Sequence, residues 1–206
     1  MYGFGWISGY FQKAAENRAA ARVQAAKFDE VAAAIDAGDF KTVAEIAANT
    51  AFTYRQVNGM VMKAILSDNV DIFDAVLQGR DLKGNPNYTM HFHDSFMPEG
   101  PHHWSESSLL YLALQNRKSN VAASLANNPK IDITKSGYSE TSTYHSGGFG
   151  GSGRMEKKRT VYGSPLELAR KLNMIEVIRP LALRTVELRQ SEAAALLREA
   201  QVLGPS

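Results

Sequence analysis

Four segments of the chain align with one another without internal gaps, and this repeat constrains the fold more than any other sequence feature. Each segment has an alanine, a turn-forming or polar residue four positions later, and then apolar residues at helical spacing. The segments are 32–47, 62–77, 110–125 and 166–181, with Ala34, Ala64, Ala113 and Ala169 followed by Gly38, Asp68, Arg117 and Asn173. Each unit therefore predicts two short helices joined by a turn. A lone helical hairpin cannot bury its apolar face, so we expect the copies to stack.

Composition excludes several classes of protein. The chain has no cysteine, which rules out disulfide frameworks, thiolate catalysis and cysteine-bound zinc. No apolar run approaches the roughly 20 residues that span a bilayer. Residues 1–11 contain neither lysine nor arginine and no continuous apolar stretch. We therefore expect no signal peptide and no membrane span, and a location in the cytoplasm or, after delivery, in the cytoplasm of a host cell.

The last unit resembles the ankyrin repeat family. Its opening, GSPLELA at 163–169, is similar to the family pattern G-x-T-P-L-H-x-A, and NMIEVI at 173–178 is similar to G-(H/N)-L-E-V-V. Gly79–Leu82 and Ile131–Ile133 follow earlier units as the family's G-A-D-(V/L)-N does. The resemblance covers residues 30–183 and implies a mainly α-helical recognition scaffold. Another helical solenoid, or coincidental hairpins in an ordinary α-helical bundle, would also fit the pattern.

The spacing of the repeats divides the chain. The four alanines lie 30, 49 and 56 residues apart, whereas an ankyrin unit takes about 33 residues. Insertions therefore occupy 83–107 and 134–162. We expect an aromatic, glycine-containing lead and a capping helix over 1–29, an ankyrin-like repeat domain over 30–183, and a second capping helix over 184–206. Pro180 should bend the helix that contains it.

Both insertions carry strand patterns. Tyr88, Met90 and Phe92 alternate with polar residues, turn-forming residues follow at 97–101, and 102–104 can return as a partner strand. In the second insertion, 138–144 and 154–162 flank a glycine-rich tip. We predict two β-hairpin fingers; flexible loops are the alternative.

The fingers concentrate aromatic and basic residues, which are typical of binding hot spots. We predict that they bind a partner protein through Tyr88, Phe92, Phe96, Trp104, Tyr138, Tyr144, Phe149, Arg154, Lys157, Lys158 and Arg159. The expected function is a non-catalytic interaction module: an adaptor, an inhibitor or an assembly component. A structural subunit of a larger assembly, such as a virus particle or a secretion machine, is the first alternative.

Nucleic-acid binding is the second alternative. Residues 154–199 hold ten lysines and arginines against six acidic residues, while the whole chain has a net charge of only +2. The basic run 154–159 beside a Gly-Phe-Gly tip could hold a nucleic-acid backbone. Most of the remaining basic residues, however, alternate with glutamates on predicted helices, as on an ordinary solvated surface.

No motif predicts catalysis. The glycine-rich stretch 147–153 lacks the lysine and hydroxyl residue of a phosphate-binding loop, and no nucleophile elbow or paired-acid arrangement stands out. His91 and His93 share one strand face and His103 could approach them, which would suit zinc, but a surface histidine cluster is the favoured interpretation. We expect no enzyme activity, no metal and no cofactor.

Overall fold

The computed structural model describes residues 4–94, 102–145 and 154–203. About 65% of the described residues are helical, and a small four-stranded antiparallel sheet accompanies the helices, which confirms the mainly α-helical prediction. The helices are α1 Phe4–Ala37, α2 Phe40–Asn49, α3 Tyr54–Ser67, α4 Val70–Leu77, α5 Leu109–Gln115, α6 Ser119–Asn127, α7 Pro165–Lys171 and α8 Ile175–Leu203. The strands are β1 Thr89–Asp94, β2 His102–Ser108, β3 Gly137–His145 and β4 Arg154–Val161.

The chain forms two compact units, residues 1–85 and 86–206. The predicted repeat domain over 30–183 spans this boundary. In the first unit, α1 and α2 form one helical hairpin and α3 and α4 the next. Helix α1 contacts α3, and α2 contacts α4, so the two hairpins pack side by side. Their core is aliphatic and includes the fully buried Val31, Val43 and Ile65.

The second unit repeats this arrangement. Helices α5 and α6 form one hairpin and α7 and α8 another, with α5 against α7 and α6 against α8. Leu110, Leu125 and Leu181 are fully buried in this unit. The aligned alanines of all four hairpins are also buried, with exposed fractions of 7% at Ala34 and 0% at Ala64, Ala113 and Ala169. A methyl group at this position lets neighbouring helices approach closely.

The turn between the two helices has the same backbone geometry in all four helical hairpins. The residue four positions after the alanine has a positive φ: 74° at Gly38, 53° at Asp68, 55° at Arg117 and 57° at Asn173. In three hairpins the N–H of the residue after this one donates to the carbonyl of the aligned alanine: Asp39 to Ala34 (2.9 Å), Lys118 to Ala113 (2.9 Å) and Met174 to Ala169 (3.0 Å). A left-handed residue followed by such a bond is the Schellman ending of a helix. The repeat found in the sequence is therefore also a repeat of backbone conformation.

The opening of the fourth hairpin shows why its sequence begins a helix. The hydroxyl of Ser164 accepts a hydrogen bond from the N–H of Glu167 (3.2 Å), and the Glu167 carboxylate accepts one from the N–H of Ser164 (2.9 Å). This capping box satisfies two N–H groups that the helix itself leaves unpaired. Pro165 occupies the first turn, where its fixed φ suits a helix start and no N–H is needed.

The two terminal helices are longer than the sequence indicates. Helix α1 runs from Phe4 without a break across 29/30, where the lead and capping segment were expected to meet the repeat domain. Helix α8 likewise continues through Pro180 and across 183/184. In α1 no glycine or proline interrupts residues 12–37, so the capping segment is continuous with a hairpin helix. In α8 the helix continues past Pro180 into the capping segment. Among the residues described, no helix is both long and apolar enough to cross a membrane.

The strands form one sheet in the order β1-β2-β3-β4. Each insertion forms an antiparallel hairpin, as predicted. The two hairpins also pair with each other through β2 and β3, from His102 opposite Ser142 to Ser107 opposite Gly137. Residue alternation alone does not predict this pairing, because β2 and β3 are separated in sequence by α5 and α6.

The connection between α6 and β3 is held by two side chains. Asn87 donates to the carbonyl of Lys130 (2.7 Å) and accepts from the N–H of Asp132 (2.6 Å), while Arg184 donates to the carbonyls of Asn128 and Ile131 (2.8 Å each). Asn87 lies just before β1, and the connection leads into β3. The two Asn87 hydrogen bonds therefore fix the β1–β2 hairpin relative to the β3–β4 hairpin. They help to set the register of the joined sheet.

Candidate functional site

The sheet has two faces of different character. On one face Met90 of β1 is fully buried and Ser107, opposite it on β2, is 3% exposed. Tyr162, just after β4, stacks on Tyr111 of α5 with ring centres 5.3 Å apart and planes within 4°. This face therefore packs on the helices of its own unit.

The other face lies in solvent, and we call it the open face. The described residues on this face include His91 of β1, Glu106 of β2, Tyr138 and Glu140 of β3, and Lys157, Arg159 and Val161 of β4. His91, Glu106, Tyr138 and Val161 are successive cross-strand partners in one row. Val161 is 67% exposed, and the side chain of Lys157 is 62% exposed. All four strands contribute, so both insertions supply this surface.

A chain of polar contacts crosses the open face. Nδ1 of His91 lies 3.5 Å from Oε2 of Glu106, and the Tyr138 hydroxyl donates to the Glu106 carboxylate. The guanidinium carbon of Arg159 lies 3.9 Å from the centre of the Tyr138 ring. An arginine in this position is attracted to the electron-rich face of the ring and also covers it. The Tyr138 ring, the Arg159 guanidinium and the Glu106 carboxylate are therefore direct neighbours on the open face.

The electrostatics of Tyr138 keep its hydroxyl protonated. Desolvation raises the pKa of Tyr138 above its usual value of 10, and the negative charge and hydrogen bond of Glu106 raise it further. Arg159 acts in the opposite direction, because a nearby cation favours the phenolate. The net pKa remains raised, so at neutral pH Tyr138 is a hydrogen-bond donor.

A shallow groove of about 280 Å³ lies at the base of the open face. Its lining includes Glu106, Tyr138, Arg159 and Val161 from the strands, together with Lys135 from the connection before β3. Cations, a carboxylate and an exposed aliphatic side chain thus border one concave surface. Such a groove can take a side chain of a bound protein segment.

The structure brings together only part of the predicted site. Tyr138, Lys157 and Arg159 share the open face. Lys158, which pairs with Thr141, belongs to the opposite face of the sheet. Of the three consecutive cations 157–159, two therefore belong to the open face and one to the other side of the strand.

The predicted aromatic residues are divided in the same way. Tyr88 and Phe92 are half-buried at the same strand parity as the buried Met90, so they belong to the packed face. The remaining predicted residues within the described strands are Trp104 on β2, Tyr144 on β3 and Arg154 on β4. Phe96 and Phe149 lie outside the described residues.

The strand register separates the predicted histidine cluster. His93 pairs with Trp104 and His103 pairs with Asp94, so positions 93 and 103 belong to opposite faces of the sheet. Among the described residues, no group of three or more histidines and acidic residues could hold a metal ion.

Sequence reasoning missed Glu106, Glu140 and Lys135 as members of the surface. Oε1 of Glu140 lies 3.7 Å from Nζ of Lys157, and the Glu106 carboxylate accepts a hydrogen bond from the Tyr138 hydroxyl. Their importance depends on cross-strand register, which no local signal in the sequence gives. A search for acidic residues opposite the basic run would have found Glu140 once β3 and β4 were aligned.

No protein-family model, curated protein or solved structure gives a significant match to this chain. Any assignment of function therefore depends on the residues and geometry of the chain itself.

Proposed function

We propose that this chain is a non-catalytic protein-interaction module, in which ankyrin-like helical hairpins carry the four-stranded sheet as the recognition surface. The observation that supports it most is the pairing of β2 with β3. This pairing joins two insertions from different parts of the chain into one open face, which neither hairpin could provide alone.

The ankyrin-like assignment is supported by the hairpins themselves. The four units share a buried alanine and a left-handed residue four positions later. Ser164 and Pro165 begin α7 in the way that the Thr-Pro opening of the family begins its helices. The strands occupy the connections between successive hairpins, and insertions into repeats commonly carry the binding surface.

The chemistry of the open face suits recognition of a protein. Tyrosine and arginine dominate binding hot spots because they bury large areas and also form directed polar contacts. Tyr138 and Arg159 are held against each other before binding, so little side-chain entropy is lost when a partner covers them. The groove that the pair borders adds the carboxylate of Glu106 and the aliphatic side chain of Val161 as polar and apolar contacts.

Affinity capture with matched variants tests this proposal. The full-length chain and the double variant Tyr138→Ala/Arg159→Ala would be compared as baits in native extract. The control is Tyr54→Ala/Arg55→Ala, which removes the same two residue types from the first turn of α3, where Tyr54 is 52% exposed. A partner retained by the control and lost by the sheet variant, with both variants folded, supports the proposal. Equal capture by both variants contradicts it.

The charge pattern of the open face disfavours nucleic acid as the partner. Glu140 lies 3.7 Å from Lys157, and Glu106 borders the Tyr138–Arg159 pair. A surface that grips a phosphate backbone is more uniformly basic. Capture of RNA or DNA that weakens steeply with salt would overturn the assignment to protein binding.

A structural subunit of an assembly is the second candidate, and the exposed apolar residues of α8 favour it. Leu183, Val186, Leu196 and Leu197 are between 53% and 66% exposed. Apolar residues clustered on the exposed part of a helix are typical of surfaces that associate. Analytical ultracentrifugation of the chain and of Leu196→Glu/Leu197→Glu distinguishes the candidates: the assembly candidate predicts concentration-dependent oligomers that the variant abolishes.

A further inference from the structure

Strand β4 is an open edge of the described sheet. It pairs with β3 on one side and is the last strand in the order. Its side chains from 156 to 161 are all exposed. An edge strand presents a row of backbone donors and acceptors to which another extended chain can pair.

The alternation of backbone hydrogen bonds along β4 shows which of its N–H and C=O groups face away from β3. The N–H of Tyr162 donates to the carbonyl of Gly137 at 2.9 Å, and the same register continues along the whole β3–β4 pair. In an antiparallel pair, residues alternate between bonding the partner strand and facing away from it. The even-numbered residues of β4 therefore bond β3, and the N–H and C=O groups of Lys157, Arg159 and Val161 face outward.

Charge selects the occupant of this edge. Lys157, Lys158 and Arg159 are consecutive, so cations lie on both faces of the strand. A second copy of β4 paired antiparallel about Lys158 would place Lys158 against Lys158 and Lys157 against Arg159. Like charges directly opposite each other destabilise a strand pair. Self-pairing in this register is therefore disfavoured, whereas all three cations would attract an acidic strand placed opposite 157–159.

We propose that the β4 edge binds an extended acidic segment of a partner protein by strand addition. This inference rests on the proposed function, because it specifies how the interaction module engages its partner. Main-chain hydrogen bonds to Lys157, Arg159 and Val161 supply affinity, and acidic side chains at positions facing 157–159 supply selectivity. The groove beside Val161 and Tyr138 takes a side chain of the bound segment.

Selection from a displayed library of random twelve-residue peptides against the full-length chain tests this inference. We expect the enriched peptides to be acidic and to lack proline at alternate positions. We expect Lys157→Glu/Lys158→Glu to weaken them at least about tenfold, because attraction becomes repulsion. Enriched peptides that are neutral or basic, or that bind the charge-reversed variant equally well, overturn the inference, as does a selection that enriches nothing.

Proline variants separate the backbone contribution from the charge. Proline is tolerated in an edge strand where its missing N–H faces outward. Lys157→Pro should therefore leave the melting temperature within a few degrees and weaken the selected peptides more than Lys157→Thr, which removes the same charge and keeps the N–H. One lost hydrogen bond corresponds to about a two- to tenfold difference. Lys158→Pro, whose N–H faces β3, should destabilise the sheet.

Failure of strand addition is distinguishable from failure of the proposed function. If Lys157→Pro and Lys157→Thr bind the selected peptides equally, strand addition is wrong, whether or not the peptides are acidic. If a protein partner is nevertheless lost in the Tyr138→Ala/Arg159→Ala variant, the open face remains the recognition surface and only its mode of binding changes.

Discussion

Arg159 of β4 lies over the ring of Tyr138 on β3, with its guanidinium carbon 3.9 Å from the ring centre. The two residues are diagonal neighbours, because Tyr138 pairs with Val161 and Arg159 pairs with Glu140. Diagonal positions on adjacent strands are within reach of long and aromatic side chains. The contact therefore depends on the register of β3 and β4, and it links the basic run of the sequence to the centre of the open face.

This pair should show measurable coupling. A double-mutant cycle with Tyr138→Leu and Arg159→Ala should give an interaction energy of about 0.5–1 kcal/mol in urea denaturation, since the site is partly exposed. The corresponding cycle with Lys158→Ala is the control, because Lys158 pairs with Thr141 on the opposite face. A coupling energy of zero for the Tyr138–Arg159 cycle would mean that the two side chains do not interact in solution.

Two substitutions in the turns of the helical hairpins should change the free energy of unfolding in opposite directions. Gly38 has a φ of 74°, and no atom lies within 4 Å of the position that a Cβ would take, so Gly38→Ala should cost about 1 kcal/mol through backbone strain alone. Arg117, with a φ of 55°, carries that strain already, so Arg117→Gly should add about 0.5–1 kcal/mol of stability. Both changes are read from the midpoint of chemical denaturation. Two changes of the same sign would contradict a shared left-handed turn.

The buried alanines should not tolerate larger side chains. Ala113 and Ala169 are fully buried, so Ala113→Leu and Ala169→Leu should each destabilise the chain by about 1–3 kcal/mol through overpacking. Ala193 lies on the exposed part of α8, and Ala193→Leu should leave the free energy of unfolding nearly unchanged. Comparable tolerance at all three positions would show that the alignment of the repeats is wrong.

Acid should destabilise the connection before β3 through Asp132. The Thr134 hydroxyl donates to the Asp132 carboxylate at 2.6 Å, and this hydrogen bond is the main reason that the pKa of Asp132 lies below its usual value of 3.8. A lowered native pKa stabilises the folded state above about pH 3.8, and the stabilisation is lost as the pH falls through the native pKa. Thr134→Val should raise this pKa, while Thr134→Ser should preserve it.

Carboxyl chemical shifts from NMR titration report the pKa of Asp132 directly, and thermal melts at about pH 7 and about pH 2.5 report the stability. The stability difference between the wild type and Thr134→Val should be larger at neutral pH. If the stability difference between the wild type and Thr134→Val is instead larger in acid, the Thr134 hydroxyl does not stabilise the ionised form of Asp132.

The sequence predicts local structure well where short-range signals decide it. Helical spacing around Ala113 and Ala169 identifies the hairpins, and the residue four positions later marks the turn in each case. Alternation around Met90 likewise identifies β1. These features depend on neighbours within a few residues, which a pattern can register.

Longer-range features are not visible in the sequence. The hydrogen bonds of Arg184 to Asn128 and Ile131 join segments more than 50 residues apart, and nothing near Arg184 indicates them. The same holds for Glu106, which meets Tyr138 only because β2 pairs with β3. For this reason the sequence predicts aromatic and basic fingers but not the surface that the two fingers form together.

A designed disulfide between β2 and β3 tests whether both insertions form one recognition surface. Ser105 and Ser139 are register partners, and the bond from Ser108 N–H to the Ser136 carbonyl makes theirs a non-hydrogen-bonded pair, with Cα atoms close enough for a disulfide. The chain has no native cysteine to compete.

The measurement is disulfide formation in Ser105→Cys/Ser139→Cys under mild oxidation, followed by partner capture with the oxidised chain. The out-of-register variant Ser105→Cys/Ser142→Cys is the control. We predict that the first variant crosslinks, the control does not, and the crosslinked chain captures the same partner as the wild type. Failure to crosslink, or a folded crosslinked chain that no longer captures the partner, would show that the two insertions do not act as one surface.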